Sequence, residues 1–244
     1  VLGEWMRRRG NRNDLVISTK VGIAYDDVPT SLAPERIIEE CDKSLKRLGI
    51  DTIDLYFAHR DDPNVPQEDV LGAFAKLIEQ GKVRSIGASN FTTDRLAAAH
   101  EIARLDGLPR YEVLQQRYTY LPVARGGYDG PQVILSGDMI DYCTRARTSV
   151  MAYSVGLGGA YGRYMETGLP PEYDIPSNHL RMKVLQEIAT ETGAQLQQVV
   201  LAWVWSKPAL MPLIAGSTPA RLDENFAAMD ITLTVEQIDR LELL

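Results

Sequence analysis

The chain has 244 residues and a formal net charge of −7, with 26 Lys and Arg set against 33 Asp and Glu along its length. That length suffices for one large α/β domain or two small ones, and the lack of a basic stripe argues against a nucleic-acid partner. No apolar run approaches the roughly 18 residues needed to cross a bilayer, and no signal-type segment opens the chain, so a cytoplasmic protein without a membrane partner is expected.

Taken in chain order, LGEWMRRRG at the start reads as the tail of a helix stopped by Gly10. The first strand candidate is 15–20 (LVISTK), a β-branched run that suits burial on both faces and ends on Lys20. In 34–48 the residues Ile37, Ile38, Cys41, Leu45 and Leu48 share one helical face, with Pro34 at the favoured first position. A strand at 53–59 (IDLYFAH) leads to a helix at 67–80, whose Val70, Leu71, Phe74, Leu77 and Ile78 line one face before Gly81. Strands at 83–89 (VRSIGAS), 113–118 (VLQQRY), 149–154 (SVMAYS) and 210–216 (LMPLIAG) alternate with helical segments at 93–105, 136–147 and 178–206. A helix at 219–228 follows Pro219, and the last opens on Thr234, Val235, Glu236 and Gln237, a capping-box pattern. Cys41 and Cys143 lie far apart, outside any C-x-x-C spacing, and read as reduced core thiols; no metal site is expected.

Alternating strands and helices imply parallel strands joined by right-handed crossovers, hence an α/β fold. No G-x-G-x-x-G follows a strand, so the open dinucleotide-binding sheet is disfavoured and a (β/α)8 TIM barrel is preferred. About six of eight βα units are visible, and 1–244 reads as a single barrel domain whose first two units stand outside this sequence. Active sites of such barrels lie at the C-terminal ends of the strands. Those positions here carry Lys20, His59, Ser89 with Asn90, Gln115, and Tyr153 with Ser154. Singly, each has a plainer reading: Lys20 can project into solvent, His59 can bond the next loop, and Ser89 and Asn90 can cap a helix.

Six fragments, ISTKVG, SLKRLGIDTIDLYFAHRDD, GKVRSIGASNF, LQQRYTYL, MAYSVGLGGAYGR and IAGSTPARLDEN, occur in order, and together they resemble the aldo-keto reductases from end to end. Within that family the likeness is closest to bacterial general-stress-type reductases. The resemblance implies reduction of a small aldehyde or ketone by NADP(H), most often NADPH, bound without a Rossmann domain. Of the family's catalytic Asp, Tyr, Lys and His, Lys20 matches the Lys that lowers the pKa of the Tyr, and His59 the His that orients the carbonyl and helps pass the proton. The Asp and Tyr belong to the first two barrel units, and no tyrosine here is read as standing in the family's D-x-x-x-x-Y setting.

The resemblance also assigns the cofactor contacts. Ser89, Asn90 and Gln115 match the residues that hold the nicotinamide carboxamide, and Tyr153 the aromatic on which that ring stacks. Ser154 and the glycines of VGLGGAYG, Gly156 and Gly158 among them, match a loop whose N–H groups approach the pyrophosphate. Gly216, Ser217, Arg221, Glu224 and Asn225 match the segment that holds the 2'-phosphate and adenine. A guanidinium at Arg221 can grip a phosphate with two hydrogen bonds and favours NADPH over NADH. The chain departs from the family's Y-S-P-L with Val155 and Gly156, and Ala215 stands where a Lys is frequent.

The small-molecule carbonyl substrate is expected among loops: Tyr25 with Asp26 and Asp27, RDDPNVP, VARGGYDGPQ and GRYMETGLPPEYDIPSNH. Adjacent Asp61 and Asp62 allow a glycosidase reading, though such pairs more often serve as solvated charges or caps. Two further functions remain beside the reductase: a cofactor-binding but poorly catalytic redox sensor resembling potassium-channel β subunits, and a nucleotide-independent barrel hydrolase or lyase.

Overall fold

The computed structural model describes residues 1–124, 130–208 and 210–243. Its contacts fall into two compact units, Val1–Gln115 with Ser136–Ser149, and Gln116–Leu135 with Val150–Leu244.

In the first unit, β1 (Ser18–Val21), β2 (Ile53–Ala58), β3 (Val83–Ser89) and the leading residues of β4 (Val113–Arg117) follow one another side by side, every ladder parallel. All of β2 is buried, as a strand covered on both faces should be. Helices α1 (Leu2–Arg9), α2 (Pro34–Leu48), α3 (Gln67–Glu79), α4 (Thr93–Asp106) and α5 (Gly137–Ala146) accompany these strands. Helix α1 stops where Gly10 adopts φ 64°, and α2 starts on Pro34 and stops at Gly49, also φ 64°. The core carries a chain of edge-on rings, Tyr56 to Phe74 at 5.6 Å, Phe74 to Tyr111 at 6.2 Å and Tyr111 to Phe91 at 5.4 Å. Gly87 is required where β3 lies between its parallel neighbours β2 and β4, because a Cβ there would lie 2.4 Å from the Phe57 ring and 2.9 Å from the Val113 carbonyl oxygen. Cys41 and Cys143 are free and buried, and burial pushes both thiols up to about 11.

The second unit contains a parallel pair formed by β5 (Ser149–Tyr153), from its second residue onward, and β6 (Leu210–Pro212), in register Val150 to Leu210. Its helices are α6 (Ala160–Thr167), α7 (Pro176–Thr192), α8 (Leu196–Trp205), α9 (Pro219–Phe226) and α10 (Val235–Glu242). The expected capping box at Thr234 is present, with the Thr234 hydroxyl accepting from the Gln237 N–H and the Gln237 side chain from the Thr234 N–H.

The largest differences from the sequence reading lie at three boundaries, each with a local reason. Strand β1 begins at Ser18 because Arg12 takes the Leu15 carbonyl and the Asp54 carboxylate takes the Ile17 N–H, leaving Val16 79% exposed. Strand β6 ends at Pro212, which has no N–H to donate, although Leu213 still donates to the Ala152 carbonyl at 2.8 Å. The helical stretch 178–206 breaks into α7 and α8 at Gly193, which takes φ 66°, and Gln195 and Gln198 form a capping box that restarts it. Among the described residues no helix is long and apolar enough to cross a membrane.

Candidate active site

The C-terminal ends of the four neighbouring strands of the first unit bring Lys20, His59, Ser89, Asn90 and Gln115 onto one rim. The parallel register accounts for this: Lys20 pairs with Phe57, Ala58 with Ala88, and Ser89 with Gln115. His59 directly follows β2, and its N–H donates to the Val21 carbonyl at 2.8 Å.

Lys20 is half-buried, and its Nζ donates to Gln115 Oε1 at 2.5 Å while lying 5.8 Å from the centre of the Phe57 ring. Burial holds its pKa below the ordinary lysine value, since the charged form loses hydration there. Burial, then the charges of Lys20 and Arg60, pull His59 down to about 4, so its imidazole is neutral near pH 7. A neutral ring carries one N–H donor, the form that can hydrogen-bond a carbonyl oxygen.

Asn90 holds the turn after β3 at φ 57°, a left-handed conformation that Asn tolerates better than most residues. Its Nδ2 donates to the His59 carbonyl at 2.9 Å and to Ser89 Oγ at 3.1 Å, tying two strand ends together. Neither Ser89 nor Asn90 caps the next helix, because the Thr92 hydroxyl does so by accepting from the Arg95 N–H.

Asp61, Asp62, Tyr25 and Tyr56 of this unit have structural partners. Asp61 receives two bonds from the Arg95 guanidinium, at 2.7 and 3.0 Å, while Asp62 accepts from the N–H groups of Leu32 and Asn64. Both are therefore occupied in shaping loops, which removes the support for a glycosidase pair. The bare D-x-x-x-x-Y spacing occurs twice, at Asp51 and Tyr56 and at Asp106 and Tyr111, and Tyr111 is buried among the core rings of Phe74 and Phe91. Tyr56 is fully buried as well, donates to the Ile37 carbonyl at 3.2 Å, and has its pKa raised by burial. It is a core residue. Tyr25, expected at a substrate loop, donates to Glu40 Oε1 at 2.6 Å and lies 5.3 Å beneath the Arg36 guanidinium.

In the second unit the residues matched to the dinucleotide converge through one side chain that the sequence reading missed. After Tyr153, the chain turns through left-handed Ser154 (φ 59°), Leu157 (φ 47°), Gly158 (φ 61°) and Gly159 (φ 86°). Such backbone conformations are costly for Ser and Leu and persist where surrounding contacts hold them. A Cβ on Gly156 would come 3.1 to 3.3 Å from the carboxamide of Gln197, on the first turn of α8. Gln197 Nε2 in turn donates to Asn225 Oδ1 at 2.5 Å, and Asn225 Nδ2 donates to the Ala215 carbonyl at 3.0 Å. The glycine loop and the segment before α9 are thus joined. A glutamine in a helical first turn carries no periodicity or spacing signal, so nothing in the sequence singled it out.

Gly216 allows the chain to pass close over the start of α9, where a Cβ would lie 2.9 Å from both Leu222 N and Leu222 Cγ. Thr218 caps that helix, and Arg221 Nη1 donates to Ser217 Oγ at 3.4 Å, bringing an exposed guanidinium and a hydroxyl together at the helix N-terminus. Backbone N–H groups, a cation and a hydroxyl in one place are what an anionic phosphate requires. Glu224 is exposed, and its carbonyl accepts from Gln198 Nε2 at 2.8 Å.

Of the remaining loops, residues 125–129 of VARGGYDGPQ lie outside the described residues. The segment 162–179 contains part of α6 and a 3-10 turn at Pro171–Tyr173, and buried Asn178 ties it down by donating to the Pro122 and Tyr173 carbonyls, each at 2.8 Å.

Comparison with known proteins gives a consistent answer. The profile of the Aldo/keto reductase family matches residues 1–244. Aldo-keto reductase str7 of Strobilurus tenacellus is 30% identical over 98% of this chain and 70% of its own length. A Schizosaccharomyces pombe protein assigned as a voltage-gated potassium channel β subunit is 31% identical over 99% of this chain and 72% of its own. Among solved structures, one assigned as a 2,5-diketo-D-gluconic acid reductase B superposes with a TM-score of 0.74 at 27% identity, covering all of this chain and 73% of that one.

Proposed function

Because the chain belongs to the aldo/keto reductase family, oxidoreductases that act on small carbonyl compounds, we propose that it reduces an aldehyde or ketone to an alcohol with NADPH. One family profile spans both units, which supports reading 1–244 as parts of a single (β/α)8 barrel domain. The observation that carries the functional reading is the rim of the first unit, where four neighbouring parallel strands end in Lys20, His59, Ser89 with Asn90, and Gln115.

The residues present fit a nicotinamide dinucleotide. Gly216 leaves room for close backbone approach, and Ser217 with Arg221 offers a place for the 2'-phosphate. Ser154, Gly156 and Gly158 would receive the pyrophosphate, Glu224 and Asn225 the adenosine, Tyr153 the flat face of the ring, and Ser89, Asn90 and Gln115 its carboxamide. When bound, the cofactor supplies the hydride. The protein's own part is to place the carbonyl and to hold the charge that develops on its oxygen, and the resulting alkoxide would take its proton from solvent. His59, neutral and half-buried, would donate from its ring to the carbonyl oxygen, holding it as negative charge develops. Lys20 sets a positive charge in a poorly hydrated setting nearby, stabilising the same charge and lowering the pKa of any adjacent acid.

The test is oxidation of NADPH, followed by its absorbance, with a panel of aliphatic and aromatic aldehydes, and the same assay with NADH. Turnover that requires both nucleotide and aldehyde and favours NADPH is expected. Tight NADPH binding without turnover would instead favour a redox-sensing role, the reading that the likeness to the channel-subunit relative supports. Binding of neither nucleotide would defeat both.

The proton chemistry has its own check. His59 should titrate near 4 by NMR of the imidazole, against about 6.5 in an unfolded chain. Its folded pKa is depressed, so the unfolded state binds the extra proton first, and this residue's contribution to stability is lost as pH falls from about 6.5 toward 4. A midpoint near 6.5 in the folded protein would remove the neutral-donor role at mildly acidic pH.

A further inference from the structure

The second unit holds a cavity of about 500 Å³ that contains none of the residues assigned above to cofactor or catalysis. It lies among the segment after β4 and helices α7, α8 and α10. Its wall is aromatic. Tyr118 and Trp203 stack with centroids 5.6 Å apart and planes 17° apart, and Tyr120 meets Trp203 edge-on at 5.4 Å. Two cations border these rings, with the Arg181 guanidinium 5.4 Å over Tyr120 and Lys207 Nζ 4.5 Å over Trp203.

The two cations differ in what answers them. Lys207 is matched by Glu242 at 2.5 Å, and Glu242 also accepts from Trp203 Nε1 at 3.2 Å, so that carboxylate is already engaged from two sides. Arg181 Nη1 donates to the Leu241 carbonyl at 3.5 Å and the guanidinium also neighbours the Tyr120 hydroxyl, two neutral oxygens, while its Nε–H is buried without an acceptor. Among the described residues no carboxylate forms an ion pair with it. A buried guanidinium N–H without a partner is costly, and the groups that best satisfy a guanidinium fork are planar oxyanions. The neighbouring rings add a flat surface for stacking.

We propose that this cavity is a binding site for a small aryl carboxylate, with the ring against Tyr118 and Tyr120 and the carboxylate on Arg181. Its volume lies within the roughly 300 to 1,000 Å³ of small-molecule pockets, too small for a folded partner. An aliphatic acid would leave the rings uncovered, and an uncharged arene would leave Arg181 unanswered. The site does not depend on the reductase reading.

The experiment is isothermal titration of 2-naphthoate into the wild-type protein and three variants, Arg181→Gln, Arg181→Lys and Lys20→Met, with 2-naphthalenemethanol as the uncharged control. Saturable one-site binding of the acid is expected, weakened about tenfold or more in Arg181→Gln. Arg181→Lys should recover part of that loss, and the alcohol should bind both Arg181 variants as it binds wild type, which guards against misfolding. Lys20→Met should bind the acid normally. Absence of saturable binding, equal affinity in Arg181→Gln, or loss of binding in Lys20→Met would each overturn the proposal, the last by assigning the acid to the reductase rim.

Discussion

The polar groups on the rim of the first unit and those ahead of α9 in the second serve one cofactor in the proposed reading, yet they are built on opposite terms. Ser89 and Asn90 are 1% and 7% exposed and bonded to one another, and Lys20 and His59 beside them have pKa values moved down, chiefly by burial. Ser217, Arg221 and Glu224 are exposed, and the Ser217 to Arg221 contact is long at 3.4 Å. Chemistry on a carbonyl gains from fixed dipoles and charges in a poorly hydrated site, where electrostatic effects are largest. Capture of a phosphate needs reachable charge, and most of its discrimination comes from whether a matched cation is present. The difference separates a part that sets kcat from a part that sets nucleotide choice.

The strongest challenge to that division is Lys20→Met. Turnover at saturating NADPH should fall by about 10²-fold or more, with the dissociation constant of NADPH, read from fluorescence quenching, changed little. A variant as active as wild type would show that the buried lysine has no catalytic part.

Arg221→Ala probes the other side. A charge-assisted phosphate contact contributes about 1.5 to 3 kcal/mol, so NADPH affinity should weaken by about ten- to a hundredfold while NADH affinity and kcat hold. If both nucleotides weaken together, Arg221 supports the fold of the segment and does not read the 2'-phosphate.

Next comes Gly87→Ala, which tests whether the rim depends on the close β2 to β3 pairing beneath it. The added methyl would meet the Phe57 ring and the Val113 carbonyl, and overpacking of this kind costs about 1 to 3 kcal/mol, measurable as a lower urea midpoint. An unchanged midpoint would mean that Phe57, whose ring also faces Lys20, shifts freely; the rim would then be softer than its buried contacts indicate.

How much of this was legible in the sequence follows from the same contrast. Hydrophobic periodicity and terminators carry local information, so α2 falls on 34–48 as expected and α3 stops one residue short of the predicted 80. Strand ends carry parallel register forward, which is why residues as distant as Lys20 and Gln115 were read onto one rim and do meet. What escaped depends on long-range competition for backbone groups. Arg12 and Asp54 cut the start of β1, and no pattern within LVISTK contains those partners. The placement of Tyr56 in the core and of Asp61 on Arg95 likewise follows from neighbours distant in sequence.

Gln197 belongs to that illegible part, and it yields the smallest and sharpest test of the division. It touches the region of Gly156 on one side and bonds Asn225 on the other, while Asn225 spends its own amide on the Ala215 carbonyl. Gln197 therefore acts on the nucleotide through the groups it orients. Removing its amide in Gln197→Ala takes one buried donor from Asn225, worth about 0.5 to 1.5 kcal/mol, so KM for NADPH and NADH alike should rise by about two- to tenfold with kcat unchanged. Gln197→Glu replaces the donor with an acceptor facing Asn225 Oδ1 and should raise KM further, whereas a merely space-filling role would make Glu the milder change. A fall in kcat in either variant would mean that the second unit reaches into the chemical step, and the separation between catalytic rim and nucleotide segment would have to be abandoned.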